Sequence, residues 1–373
     1  MTDLSAQTTR TSVSNGTAID ILCDLVRTSS VSNHEVDAVC VFVRAANQIG
    51  LDAEIDEAGN GHALTRNRQE SAREIVLLGH IDTVPGDIPV RVEDGVLYGR
   101  GSVDAKGPLC AMLCAAARAV LPEGISVRVV AAVGEEIAAS PGAHFVATQL
   151  KPAACIIGEP SGWDGVTLGY KGTMQIRASV QRENTHTAGP EASAVDMLFA
   201  WWNTVLAYLY EINQSHERLF DQVQSTIRTS TSSNDGVVDQ AEMTCGFRLP
   251  RWILPEELES AIRAHTTQDV TLDVFGHQGC WVADRNDAVA RAISNSIRQH
   301  GSTPRPKHKT GTADMCVVGP VWQCPIAAYG PGDSSLDHTP NEHIRLDEYA
   351  KSIDVLATAI ETLAHEIASS ICQ

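Results

Sequence analysis

The sequence predicts an α/β protein in which a mostly parallel sheet flanked by helices is interrupted by an inserted α+β domain. Three observations carry that expectation. Short, almost wholly apolar runs recur at Ile75-Val76-Leu77-Leu78, Val127 to Val133 and Cys155-Ile156-Ile157. Such runs suit strands buried on both faces. Stretches rich in Ala and Leu lie between them, the clearest being Pro108 to Val120, and they read as helices. Further along, the period changes to strict alternation, the pattern of a strand with one wet face.

Taken in chain order, residues 1–15 (MTDLSAQTTRTSVSN) are rich in Ser and Thr and lack an apolar stretch. They read as a disordered tail, not a secretion signal. The catalytic layer is expected over 16–171. In Gly172 to Val180, Met174, Ile176, Ala178 and Val180 alternate with Thr173, Gln175, Arg177 and Ser179. A long helix from Ser193 to Ile212 follows, then a Ser/Thr/Asn stretch around Ser230 to Asn234, then a second alternating run from Glu242 to Leu249. Together these define an inserted domain over 172–284. The first layer then resumes over 285–373, with a helix at Ala288 to Gln299 and a buried strand at Pro325 to Tyr329.

Composition narrows the function. A chain of 373 residues has room for two domains, and 43% hydrophobic with 20% charged residues is a globular profile. The formal net charge of -18 argues against nucleic acid and anionic lipid as partners, and 5% aromatic residues argue against a stacking platform for single strands. No run of about 18 apolar residues offers a membrane span. The 10 cysteines are scattered without a Cys-x-x-Cys pair, which suits reduced thiols in a cytoplasmic protein. Cys110 and Cys114 share a helix face and read as core.

The polar residues that end the buried strands carry the chemistry. The run Glu74 to Leu78 ends in Gly-His80-Ile-Asp82, whose i, i+2 spacing puts both side chains on one side of the extended chain. In an open parallel sheet, ligands bind at the carboxyl ends of the strands. There a neutral imidazole can bind a metal while Asp82 accepts a hydrogen bond from its other nitrogen. Tyr98-Gly-Arg-Gly-Ser-Val-Asp104-Ala-Lys-Gly107 leads into a helix, its glycines allowing a tight turn. The next two strands end in Gly134-Glu135-Glu136 and Gly158-Glu159, and His338 follows the strand near Tyr329. Like charges converging on one sheet edge repel unless cations neutralise them. Two histidines with three carboxylates form an N/O donor set suited to zinc, cobalt or manganese.

This combination resembles the ArgE/DapE/carboxypeptidase-G family of co-catalytic zinc hydrolases, from Leu25 to nearly the C-terminus. The resemblance implies two divalent ions, zinc or alternatively cobalt, one held by His80, Asp104 and Glu159 and the other by Asp104, Glu136 and His338. Asp104 would bridge them, Glu135 would be the general base, and Asp82 would orient His80. His186, in Asn-Thr-His-Thr-Ala-Gly-Pro, is similar to the family's histidine supplied across a dimer interface. Arg248, in Cys-Gly-Phe-Arg-Leu-Pro, and Gly311, in Lys309-Thr-Gly-Thr-Ala-Asp314-Met, are similar to its substrate-contacting residues.

Finer motifs resemble the LysW-lysine hydrolases within that family: Gly79-His-Ile-Asp-Thr-Val-Pro-Gly86, Leu97 to Pro108, and Gly158-Glu-Pro-Ser-Gly-Trp to Tyr-Lys-Gly172. That branch implies release of lysine or ornithine from the terminal glutamate side chain of a small acidic carrier protein, the last step of a lysine or arginine route. The basic cluster Arg305-Pro-Lys307-His-Lys309 would suit docking such a partner. The chain departs from the pattern at Gln181 to Thr185, which lacks an expected glycine, and at Gly134, where a third glutamate is common. The alternatives are an N-acetyl-ornithine or other N-acyl-amino-acid deacylase or dipeptidase with the same site, and a non-catalytic metal-binding protein.

Overall fold

The computed structural model describes residues 13–66, 73–186 and 188–370. Most of the expected tail, residues 1–12, lies outside them, as does Cys372. Description begins at Val13, and Ser14 caps the helix Asn15–Arg27 by accepting a hydrogen bond from the Thr17 backbone N–H. The chain forms two compact units. One takes the residues up to Leu168, then Ala283–Lys307 and Ala313 onward; the other takes Gly169–Val282 and His308–Thr312.

In the first unit the strands Ile125–Ala132, Arg73–His80, Ala154–Gly158 and Ile326–Ala328 lie side by side, all parallel. Gly61–Leu64 pairs antiparallel with Ile125–Ala132, and Gly165–Tyr170 antiparallel with Ile326–Ala328. Each of the four central strands is one of the short apolar runs of the sequence. Ile75, Leu77, Val127, Val129 and Ile156 pack into a core with the helices Asn15–Arg27, Lys106–Arg118, Ala288–Gln299 and Leu346–Ser369. Their chain neighbours Val76, Leu78 and Val130 point to the other face and are equally buried. Lys106–Arg118 is covered along most of its length. Small Ala and Cys side chains let it sit against both the sheet and Leu346–Ser369. Cys110 and Cys114 are core residues there, and none of the nine described cysteines forms a disulfide.

The second unit is an antiparallel sheet in the order Gln224–Asn234, Val238–Leu249, Gly172–Glu183, Thr271–Gln278. The alternation read from Gly172 to Val180 appears as Met174, Ile176, Ala178 and Val180 buried against Leu198, Trp201, Trp202 and Phe247. The helices Ala194–Asn213 and Pro255–Ala264 supply the other half of this core. The Ser/Thr/Asn stretch around Ser230 to Asn234 is the end of an eleven-residue edge strand, paired from Ser230↔Met243 to Asn234↔Asp239. Its residues are exposed, so no apolar alternation marks it in the sequence.

Candidate metal centre

Register brings the polar strand ends together. His80 is paired with Ala132 and Gly79 with Gly158. His80, the loop after Ala132 and Glu159 therefore emerge at one sheet edge, the carboxyl edge of the parallel strands. The Gly99–Lys106 turn brings in Asp104, and His338 enters from beyond Ile326–Ala328 with a left-handed backbone, φ 59°.

Two donor groups share Asp104. His80 Nε2 lies 3.1 Å from Asp104 Oδ1 and 3.8 Å from Glu159 Oε1. His338 Nε2 lies 3.0 Å from Asp104 Oδ2 and 2.9 Å from Glu136 Oε1. The donor atoms of His80, Asp104 and Glu159 all lie within 4.8 Å of one another, and so do those of Asp104, Glu136 and His338. Glu135 joins His80 and Glu136 in a third group of the same tightness. His80 is buried and His338 half-exposed, so the site is open on the His338 side.

The supports are specific. His80 Nδ1 is 3.1 Å from the Asp82 carbonyl oxygen and 3.5 Å from its carboxylate. A proton on Nδ1 leaves Nε2 with its lone pair toward Asp104 and Glu159. The Asp82 carboxylate also accepts the backbone N–H groups of Glu135 and Glu136, both at 3.0 Å, and the Ser32 hydroxyl at 2.7 Å. Asp82 thus supports both parts of the site, its carbonyl oxygen meeting the imidazole and its fully buried carboxylate holding the Glu135-Glu136 loop.

Glu342 went unremarked in the sequence. Its Oε1 accepts the backbone N–H groups of Val103 at 2.9 Å and Asp104 at 3.1 Å, while Oε2 takes Arg100 at 2.7 Å. Lys106 donates to the carbonyls of Leu25 and Thr28 from the other end of the turn. The peptide between Asp104 and Ala105 is cis.

Electrostatics tests whether this donor set fits divalent cations. Among the described residues no Lys or Arg pairs with Asp104, Glu135 or Glu136; imidazoles pair with Asp104 and Glu136. Burial opposes charge on His80, yet hydrogen bonds to Asp104 and Asp82 hold its pKa well above the usual imidazole value. Hydrogen bonds to Asp104 and Glu136 raise His338 to about 10. Asp104 is buried too, but the two imidazoles pull it below the usual carboxylate range. Burial, then Asp314, Glu159 and Glu136, pushes Glu135 well up, against the pull of His80. Asp314 is raised by burial to about 7, and its Oδ1 is buried without a hydrogen-bond partner among the described residues. Two imidazoles and three carboxylates converge here with their donor atoms close together, an N/O set that fits divalent cations.

The remaining sequence candidates belong to the second unit. His186 is exposed, its Nδ1 accepting the Ala188 backbone N–H at 3.1 Å. Arg248 donates to the Thr312 hydroxyl at 2.6 Å, and the Gly311 carbonyl accepts the Lys171 backbone N–H at 2.9 Å. The basic cluster is partly committed within the fold: Arg305 pairs with Asp164, and Lys307 donates to the Ser161 carbonyl at 2.7 Å.

A layered α/β unit with such a centre at its strand ends has the design of a hydrolase. Residues 76–362 match the model of Peptidase family M20/M25/M40, and the chain belongs to that family. A LysW-lysine hydrolase from Deinococcus radiodurans is 42% identical over 93% of this chain and 97% of its own length. A LysW-lysine/LysW-ornithine hydrolase from Saccharolobus islandicus is 28% identical over 93% and 96%. An M20 family metallo-carboxypeptidase from Sulfolobus solfataricus superposes with a TM-score of 0.77 at 16% identity, over 93% of this chain and 99% of its own. A dinuclear metal binding M20 peptidase from Bacillus subtilis gives 0.67 at 15% identity, over 94% and 98%. No helix among the described residues is long and apolar enough to cross a membrane.

Proposed function

We propose that this chain is a two-metal amide hydrolase that releases lysine or ornithine from the γ-carboxyl of the C-terminal glutamate of an acidic amino-group carrier protein. The observation that carries this reading is a complete paired donor set in a chain 42% identical, nearly end to end, to a LysW-lysine hydrolase. His80, Asp104 and Glu159 would hold one ion and Asp104, Glu136 and His338 the other, with zinc preferred and cobalt accepted by the same donors. When bound, the two cations supply Lewis acidity toward the scissile carbonyl and toward water.

The chain's own residues do the rest. Glu135 takes a proton from the attacking water and delivers it to the leaving amine. A carboxyl buried among other acids holds a proton more readily than a solvated one, so Glu135 can carry it between the two steps. Asp82 keeps His80 in the tautomer that presents Nε2. Arg248 is assigned to a substrate carboxylate, which a guanidinium can clamp with two parallel hydrogen bonds, and Gly311 to the substrate-contacting loop.

The second unit is assigned to a homodimer in which His186 serves the partner's site. Phe199, Leu206 and Tyr210 lie exposed at i, i+7 and i+11 along Ala194–Asn213, an apolar stripe of the kind that marks interfaces. Gln224–Asn234 adds a strand edge that no other strand among the described residues covers. Nine described cysteines without a disulfide suit the reducing cytoplasm.

The test is a substrate panel on the metal-loaded enzyme: carrier-linked lysine, carrier-linked ornithine, N-acetyl-lysine and N-acetyl-ornithine. The reading expects the carrier conjugates to be cleaved fastest. Turnover of the acetylated amino acids with none of the conjugates would replace it with a small-molecule deacylase.

A further inference from the structure

The loop that carries Glu135 and Glu136 runs from Val133, after the strand Ile125–Ala132, to the start of the helix Pro141–Gln149. Its ends meet: the Gly142 backbone N–H donates to the Val133 carbonyl at 3.1 Å. A single side chain from elsewhere spans the same two residues. Asn60, fully buried just before the strand Gly61–Leu64, accepts the Val133 backbone N–H on Oδ1 at 3.0 Å. Its Nδ2 donates to the Gly142 carbonyl at 3.3 Å.

The orientation of that amide is forced. Nδ2 also donates to Asp56 Oδ2 at 2.8 Å, and that oxygen is 2.9 Å from His62 Nε2. Asp56 Oδ1 takes the Ala58 and Asn60 backbone N–H groups, each at 2.9 Å. Asn60 therefore faces two acceptors with its NH2 and one donor with its oxygen, and reversing the amide would break all three bonds. The space is closed as well: a Cβ added at Gly142 would sit 2.4 Å from Asn60 Oδ1 and 2.6 Å from the Val133 nitrogen. Asp82 holds the middle of the loop through the Glu135 and Glu136 backbone. Nothing in the mechanism above uses Asn60, and the nearest ends of its contacts lie two residues from Glu135.

We propose that Asn60 is a positioning residue for the reaction, closing the 133–142 loop so that Glu135 reaches the water and Glu136 reaches its cation. The proposal rests on the reading of Glu135 and Glu136 given above. A carboxylate held by a closed loop keeps its place without help from the substrate, and a misplacement near 1 Å costs about 100-fold in rate.

The experiment compares Asn60→Ala, Asn60→Asp and Arg118→Ala with the parent enzyme, by steady-state kinetics on the fastest substrate of the panel, zinc calorimetry and thermal unfolding. Arg118 is a control because it ties helices together through Asp354 and the Val13 carbonyl. Both Asn60 variants are expected to lower kcat about 10- to 100-fold with KM nearly unchanged, and to weaken the second zinc about tenfold. Arg118→Ala should lose thermal stability with kcat and zinc affinity intact. Should Asn60→Ala fail to fold, Asn60→Asp carries the test, because it keeps the volume while removing both N–H donations. Variants that lose stability as Arg118→Ala does, yet keep kcat and both zinc affinities, overturn the proposal. Glu135→Gln is measured alongside: full activity there sinks the proton role of Glu135, whereas the calorimetric effect of Asn60 is decided separately.

Discussion

Single residues in this site act through the backbone as much as through their charges. Glu342 shows this best, since its carboxylate accepts two N–H groups of the turn that presents Asp104. It is 1% exposed and pairs with Arg100. Removing one partner of a buried ion pair costs on the order of 3 kcal/mol, because the other charge is left uncompensated. Glu342→Gln is therefore expected to lower the unfolding free energy by about that amount, read from denaturant titration, and to weaken zinc binding. Unchanged stability and zinc affinity would show that Asp104 holds its place without this support.

At the scale of elements, the second unit offers two tests. Its long helix exposes Phe199, Leu206 and Tyr210, so a Leu206→Asp/Tyr210→Asp variant should sediment as a monomer if that stripe is the dimer face. A parent enzyme that is itself monomeric would end the idea. The second test concerns Lys171, whose Nζ donates to the carbonyls of Leu219 and Gln222 and to the Gln224 side chain. Burial lowers its pKa from 10.5 to about 8. Between those values the unfolded chain keeps the proton that the folded chain has given up, so this group makes stability rise with pH. Urea unfolding at pH 7.5 and pH 10 should show the parent gaining on Lys171→Met at the higher pH. Parallel responses would mean that Lys171 is solvated in the fold.

At the scale of the whole molecule, the converging acids predict a fold that leans on its ions. Ligands bound only by the folded state stabilise it by about 2.7 kcal/mol at one hundred times Kd. Chelation should therefore lower the thermal midpoint, and zinc should restore it; a midpoint indifferent to chelator would count against cation binding at this edge.

What was legible in the sequence follows the same scale. The four parallel strands were visible because each is short and apolar, and His80, Glu136 and Glu159 because they follow the ends of such runs; Asp104 was marked instead by its glycine-rich turn. Register was not visible, since the pairing of His80 with Ala132 and of Gly79 with Gly158 depends on contacts between distant segments. Asn60 and Glu342 were hidden for that reason: each meets the site 73 and 239 residues away along the chain. The edge strand Gln224–Asn234 was hidden because its exposed Ser and Thr carry no burial period.

The central claim is that Glu135 moves the proton beside two cations that it does not itself hold. Elemental analysis and kcat of Glu135→Gln, measured on one preparation, test it most directly. The account predicts two ions per chain, as in the parent, with kcat reduced by about 100-fold or more. Two bound ions with parental turnover would contradict it.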